Sequence, residues 1–222
     1  HNLGDTLRRH REPYHDDLSQ AAAAAPAGGG IASAHDLVRF KDVITASDLV
    51  PDDHPRGLWQ DRLEDRPVTD YTLDTQTPLR WRRSGIRKTY ALEGATLTVR
   101  WRFARALEGQ RFATTLHLAL PSCDGPLGRY GTLTGDPLGD FGQTVELPSG
   151  QGLLLTDGLL GGRLRLSTNR PVAMHCAPHR TVSRSEAGFE KIMQAVAITL
   201  FWPITQGPAG LVCQLTIEPL PA

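Results

Sequence analysis

The strongest pattern in this chain is a strict alternation of apolar and polar residues. From Thr96 to Phe103 every second residue is apolar, which predicts a strand with one dry face and one wet face. The alternation returns at 116–120, 164–167 and 211–218, and turn-forming Gly and Pro residues separate the runs. Several short strands with frequent turns predict an all-β fold, an antiparallel sandwich or barrel.

The stretch from Thr181 to Ile204 joins a polar segment to one of the most apolar runs of the chain. Its residues from Val196 to Trp202 alternate between two sides, which again predicts a strand. Ser183 and Glu186 have the spacing of a helix capping box. The strand-like run that follows Gly188 instead favours a strand, a turn and a second strand.

The N-terminal part of the chain has a different character. Residues 7–25 are rich in arginine and predict a helix with too few apolar positions for a core of its own. Residues 21–30, AAAAAPAGGG, have the composition of a linker. We therefore predict a helical tail and linker over 1–30 and one β domain over 31–222. A short strand near 36–44 and an irregular loop over 52–57 are expected at its start.

The opening residue and the composition narrow the class of protein. The chain opens at His1 without a methionine, so we expect a piece of a larger protein. Its 24 basic residues balance 24 acidic ones, so neither nucleic acid nor an anionic membrane is an expected partner. No apolar run approaches the ~20 residues of a membrane span, and residues 1–18 lack the apolar segment that is typical of a secretory signal.

Three cysteines without C-x-x-C spacing are read as reduced thiols, which predicts a cytoplasmic protein. No glycine-rich phosphate loop is present, and no cofactor is expected. The cluster Asp52, Asp53 and His54 offers metal donors, but adjacent residues rarely converge on one ion, so a solvated acidic turn is favoured and no metal site is expected. Cys123 stands beside Asp124 with no basic neighbour, which favours a structural turn over a nucleophile.

Two groups of residues invite a functional interpretation. One stretch of sequence contains His175, His179, Glu186 and Glu190. An imidazole and a carboxylate are the minimum set of groups for proton transfer, one as donor and one as acceptor. The favoured alternative places His175 beneath the sheet and pairs the two glutamates with Arg184 and Lys191 at the surface. Among the tryptophans, Trp101 and Trp202 are expected in the core, and Trp59 and Trp81, beside charged residues, are expected to be exposed.

The segment HDLVRFKDVITASDLVPDDHPRGLWQDRLED, residues 35–65, resembles the opening of the C-terminal domain of glycoside hydrolase family 57 enzymes, the α-amylase and 4-α-glucanotransferase group. Its leucine, acid and arginine turn is present as Leu49, Asp52 and Arg56, while its close departs from the family as Gln60, Asp61, Arg62 and Leu63. Later landmarks are similar to residues 116–125 and 181–194. Residues 7–18 resemble the end of the helical region that precedes this domain.

This resemblance implies a large antiparallel β-sandwich of the galactose mutarotase-like superfold, attached to a catalytic barrel. The acidic catalytic pair of the family lies on that barrel, so no residue of this chain inherits a catalytic role. The barrel is then the implied partner, and α-glucan is a possible ligand. Candidate carbohydrate-binding residues are Trp59, Trp81, His175, His179, Glu186 and Glu190.

Two alternatives stay open at this point. One is a purely structural interaction domain whose partner is the barrel, and the other is an enzyme. A free-standing aldose mutarotase or epimerase-like enzyme could be built on the same sandwich. It would use His175 or His179 as acid and Glu186 or Glu190 as base.

Overall fold

The computed structural model describes residues 7–16, 18, 44–76, 79–83, 85–123, 125–185, 188–205 and 210–220, and most of them lie in strands. Residues 13–16 are helical, and two short 3₁₀ helices span Ala46–Leu49 and Arg105–Leu107. The strands are β1 (Gln60–Leu63), β2 (Arg66–Pro67), β3 (Thr72–Gln76), β4 (Leu79–Arg83), β5 (Ile86–Glu93), β6 (Thr96–Phe103), β7 (Arg111–Leu118), β8 (Gly128–Gly131), β9 (Pro137–Asp140), β10 (Val145–Asp157), β11 (Gly162–Ser185), β12 (Gly188–Pro203) and β13 (Leu211–Pro219).

The chain divides into two compact units. The first comprises His1–Arg56 and His179–Gln194, and the second comprises Gly57–Pro178 and Ala195–Ala222. Most of the strand residues, and all four tryptophans of the chain, belong to the second unit.

The strands form an antiparallel sheet in the order β2, β1, β7, β12, β11, β13, β6, β5, β4, β3. β10 pairs with β11 and with β8, and β8 pairs with β9. Hairpin neighbours such as β4 and β5 or β5 and β6 pair in continuous register, as short turns between alternating runs dictate. The predicted all-β fold class is confirmed.

The second unit closes into a sandwich because its sheet folds over on itself. Asp61 on β1 and Trp101 on β6 are separated by four strands in the sheet order. The indole Nε1 of Trp101 nevertheless donates to the Asp61 carboxylate at 2.9 Å. Such contact between strands so far apart in one sheet is explained by a sheet that forms two facing layers.

The apolar centre of the sandwich is a group of aromatic rings around Trp101. Its ring centroid lies 5.5 Å from that of Trp59 and 6.2 Å from those of Phe112 and Trp202, in edge-to-face geometry. Trp101 is fully buried, and Trp202 is 4% exposed. The prediction that these two tryptophans belong to the core is confirmed.

A buried ion pair lies beside these rings. Lys88 Nζ is 3.0 Å from Asp61 Oδ2, and the two side chains are 6% and 0% exposed. The same carboxylate accepts hydrogen bonds from the Tyr71 hydroxyl at 2.6 Å and from the Thr114 hydroxyl at 2.7 Å, besides the Trp101 indole. Lys88 also donates to the Trp59 carbonyl oxygen. Because the buried carboxylate has this many partners, most of the desolvation free energy of an unpaired buried charge is offset.

Aromatic faces surround the ammonium group of Lys88. Its Nζ lies 5.3 Å from the ring centre of Trp101 and 5.5 Å from those of Tyr71 and Tyr90, within cation–π range. Burial lowers the pKa of Lys88, against the opposing effect of the Asp61 carboxylate. Burial and the same carboxylate raise the pKa of Tyr71, so its hydroxyl stays a neutral donor.

The first unit has a small core of its own. Leu18, Val182 and Phe189 are buried together, and three partly buried residues pack against them, Tyr14, Ile44 and Leu49. The Tyr14 hydroxyl donates to the Val182 carbonyl at 3.2 Å. Side chains from three distant segments of the chain therefore share one cluster.

Most of the strands follow the sequence pattern. The alternating run at 96–103 coincides with β6, the run at 211–218 lies within β13, and the run from Val196 to Trp202 lies within β12. The alternation at 116–120 extends two residues past the end of the observed strand, because β7 ends at Leu118. The expected loop over 52–57 is irregular, whereas the linker, the boundary near residue 30 and the strand near 36–44, apart from Ile44, lie outside the described residues.

We expect Asp61→Ala to destabilise the second unit by about 3–5 kcal/mol, because it leaves the Lys88 ammonium buried without its partner. The double variant Asp61→Leu/Lys88→Met removes both charges and should cost less than the single change. Urea unfolding at pH 7, followed by tryptophan fluorescence, measures both. A double variant as unstable as Asp61→Ala would show that the unpaired Lys88 ammonium is not the cause of the loss.

Candidate functional site

The six residues predicted to contact carbohydrate fall into different environments. Trp59, Trp81 and His175 belong to the second unit, and His179 and Glu190 belong to the first. Glu186 lies outside the described residues.

Trp59 is only 2% exposed, so the expectation of an exposed ring is wrong. Its backbone has a φ of 60°, a left-handed conformation that is uncommon for a residue other than glycine. This conformation accompanies the inward ring and the carbonyl that accepts from Lys88. The charged loop around Trp59 in the sequence suggested exposure, but the ring packs edge-on against Trp101 instead.

Trp81 is half-buried on β4. In the strand register it lies opposite Leu73 on β3 and opposite Lys88 on β5, so it shares their face of the sheet. Leu73 is 44% exposed and Leu79, two residues before Trp81 on the same face, is 39% exposed. The indole therefore sits at an accessible apolar margin of the inner face, where a ring could stack on a sugar.

His175 lies on β11 opposite Glu146 on β10. Its Nδ1 is 3.3 Å from Glu146 Oε1, and the two side chains are 40% and 74% exposed. The alternative that His175 packs beneath the sheet is therefore wrong. An exposed pair of this kind is well hydrated and adds little to stability.

His179 has the opposite environment, since it is 5% exposed. Its Nε2 lies 2.6 Å from the Leu7 carbonyl oxygen, so that nitrogen carries the proton that it donates. Burial, with a further contribution from the Arg56 guanidinium, lowers the pKa of His179 to about 4. The ring is neutral near pH 7 and is already bonded to the backbone, which does not suit a general acid.

Asp52, considered in the sequence as a metal donor, is the centre of a cluster of arginines in the first unit. Its carboxylate accepts from the Arg56 Nε at 2.6 Å and from the Arg9 backbone N–H at 2.8 Å. The Arg8 side chain donates to the Asp52 carbonyl at 2.9 Å. Burial alone would raise the pKa of Asp52, but the hydrogen bonds from Arg56 and Arg9 hold it well below the usual range. The Asp52 side chain thus links Arg9 to Arg56 within the first unit.

Two further groups considered in the sequence were the metal donors and the cysteines. No set of three or more metal-donor side chains converges within the described part of the chain. Cys123 lies buried in a turn, and Cys176 and Cys213 are also buried free thiols. Burial raises the pKa of the Cys176 thiol to about 12, so little thiolate forms near neutral pH.

Sequence reasoning missed two features of the second unit. One is the buried pair of Asp61 and Lys88, because an isolated charge in an alternating run looks like a solvent-facing position. The other is a set of arginines on the outer face of β4, β5 and β6. The alternation of the sequence could have revealed this set, since Arg100 and Arg102 occupy polar positions of β6 and therefore share one face of the strand.

The pair of Asp61 and Lys88 is positioned for stability and not for reaction. Both oxygens of the carboxylate accept hydrogen bonds from the protein, and neither side chain is more than 6% exposed. A substrate would have to displace these bonds to reach either group.

The family described as alpha-amylase/4-alpha-glucanotransferase, C-terminal, matches residues 1–77 and 69–212. The chain belongs to this family.

Two proteins that are similar to this chain are both longer than it is. It is 26% identical over 221 residues to a 4-alpha-glucanotransferase of Thermococcus kodakarensis, an alignment that covers 91% of this chain and 32% of that protein. The crystal structure of 4-alpha-glucanotransferase from Thermococcus litoralis matches 78% of this chain and 29% of its own, with a TM-score of 0.51 and 16% identity, a likeness of fold. The chain thus spans about a third of the length of these relatives.

Membership of the alpha-amylase/4-alpha-glucanotransferase C-terminal family confirms the resemblance noted in the sequence. It supports an accessory domain and does not favour the alternative of a free-standing mutarotase or epimerase-like enzyme. The buried, neutral state of His179 agrees with that outcome. Among the described residues, no helix is long and apolar enough to cross a membrane.

We expect the burial of His179 to make the stability of the chain depend on pH. The folded-state pKa, about 4, lies below the ordinary value of 6.5, so the unfolded chain binds the extra proton first as pH falls. Stability is therefore complete above pH ~6.5 and decreases towards pH ~4, by at most about 1.4 kcal/mol per pH unit. Urea unfolding by circular dichroism between pH 4 and 7.5 measures this slope.

His179→Gln should flatten the slope, because glutamine keeps a donor for Leu7 but does not titrate. His175→Gln is the matched control at a half-exposed histidine and should change the slope less. An equal effect of the two substitutions would show that burial of His179 is not the cause.

Proposed function

We propose that this chain is a non-catalytic accessory domain of a larger protein that processes α-glucan, of the 4-α-glucanotransferase kind. It supports the catalytic part of that protein and contacts α-glucan through a surface of its own. The observation that carries the proposal is the family match along most of the chain, combined with an alignment that covers 32% of the relative.

The bonding of the described carboxylates favours a non-catalytic role for this domain. The strongest carboxylate clusters, around Asp61 and Asp52, are saturated by donors from the protein itself. Catalysis of glycosyl transfer requires a pair of carboxyl groups that can reach the glycosidic bond. The saturated clusters do not offer such a pair, so we assign the reaction to the remaining two thirds of the parent protein.

For contact with glucan, Trp81 is the best placed of the candidate residues. It combines an aromatic face with the accessible margin formed by Leu73 and Leu79. His175 offers a half-exposed imidazole for hydrogen bonds to sugar hydroxyls, and Glu190 is a further polar candidate in the first unit. We also propose a cytoplasmic location, which the three free cysteines support.

We expect the chain alone to have no activity on glucan. Incubated with maltoheptaose and glucose, it should yield no longer or shorter maltooligosaccharides by chromatography. It should also leave the optical change of fresh α-glucose at the uncatalysed rate in polarimetry, because the neutral, bonded His179 is no acid. Either activity, lost on Glu190→Gln, would overturn the non-catalytic assignment.

We expect the chain to bind maltoheptaose weakly, with heat detectable by isothermal titration at millimolar sugar. Trp81→Ala should weaken this binding by roughly tenfold, because stacking of an aromatic ring is lost, whereas Trp81→Phe should retain part of it. Urea unfolding of both variants controls for loss of structure. No heat with the unmodified chain would remove glucan contact from the proposal and leave the supporting role.

A further inference from the structure

The outer face of β4, β5 and β6 carries a row of arginines in direct register. Arg82 on β4 lies opposite Arg87 on β5, and Arg87 lies opposite Arg102 on β6. Neighbouring strands are about 4.8 Å apart, so the three side chains leave the sheet within about 10 Å. Arg80 and Arg100 lie two residues along the same strands, on either side of Thr89. We call these five arginines the arginine face.

This arrangement of like charges is unfavourable for the pairing of the three strands. Like charges directly opposite one another destabilise a pair of strands. Asp74 forms ion pairs with Arg80 and Arg82 at the β4 edge. In the described part of the chain, no carboxylate lies within ion-pair distance of Arg87, Arg100 or Arg102, and all three are exposed. Among the described residues, the three arginines at the centre of the face therefore have no ion-pair partner.

The arginine face is also concave. A groove of about 280 Å³ lies between its side chains and is lined by Arg80, Arg87, Thr89, Ala91, Thr98, Arg100 and Arg102. A second groove near the ends of the strands shares Arg87 and Arg102 with the first. Positive charge and threonine hydroxyls thus face a shared space large enough for a small ligand.

We propose that the arginine face binds a small ligand with two or more phosphoryl groups. Guanidinium groups hold phosphate oxygens through paired hydrogen bonds, and adjacent guanidinium groups in register match adjacent phosphates. Threonine hydroxyls add donors for the remaining oxygens. Binding an anion would also relieve the repulsion along the row.

The lining residues disfavour other occupants. Of the described residues that line the first groove, none is aromatic, so neither a neutral glucan nor single-stranded nucleic acid finds a stacking platform among them. The site is thus separate from the Trp81 margin on the opposite face of β4, and it does not depend on the proposed contact with glucan. A phosphorylated sugar and a free oligophosphate share the required chemistry.

Isothermal titration at low salt with inorganic tripolyphosphate and with glucose 1,6-bisphosphate tests the site and separates the two sources. We expect binding of at least one, weakened about tenfold or more by Arg87→Gln/Arg102→Gln, because charged hydrogen bonds are lost. The ligand that binds more tightly shows whether the site prefers a free oligophosphate or a phosphorylated sugar. In the absence of ligand, this double variant should unfold at a higher urea concentration than the unmodified chain, because opposed charges are removed.

The matched control is Arg62→Gln/Arg66→Gln, which removes two exposed arginines from β1 and β2 and lowers the net charge equally. It should leave affinity within about twofold, since it lies outside the face. Three results would overturn the proposal: no binding of either phosphate ligand, an equal loss of affinity in the control, or tighter binding of a single-stranded oligonucleotide than of both ligands.

Discussion

The carboxylate of Asp61 joins both layers of the sandwich at one point. It accepts hydrogen bonds from Trp101 on β6 and Thr114 on β7, and an ion pair joins it to Lys88 on β5. A carboxylate without these donors would carry a desolvation cost of several kcal/mol. In the observed register of the two layers, each of these donors reaches the carboxylate, so the buried charge is fully bonded.

The two faces of β4, β5 and β6 follow from the same alternation. Inward positions supply the rings and Lys88, and outward positions supply the arginine face. A strand has to place successive side chains on opposite sides, so a core on one face dictates which residues share the other. Although the whole chain has no net charge, the register gathers basic residues on one surface.

This geometry explains what could be predicted from the sequence. The runs that became β6, β12 and β13 were visible because each buries one face, which gives an apolar period of two. The burial of Lys88 was not visible, because its partner Asp61 lies 27 positions earlier and only the folded sheet brings them together. The position of Trp59 was missed for the same reason, since its neighbours in sequence are charged while its neighbours in space are rings.

The first unit gives a physical meaning to the short motifs that carried the family resemblance. Segment 7–18 contributes Tyr14 and Leu18 to the small core, segment 181–194 contributes Val182 and Phe189, and Leu49 packs against them. Three residues beyond Leu49, Asp52 fixes segment 7–18 through Arg9 and is itself held by Arg56. Segments that are distant in sequence and poor in apolar residues need such specific contacts to stay together, because each alone buries too little surface. The segments that carried the resemblance therefore supply the contacts that hold the first unit together, in a domain to which we assign no catalytic role.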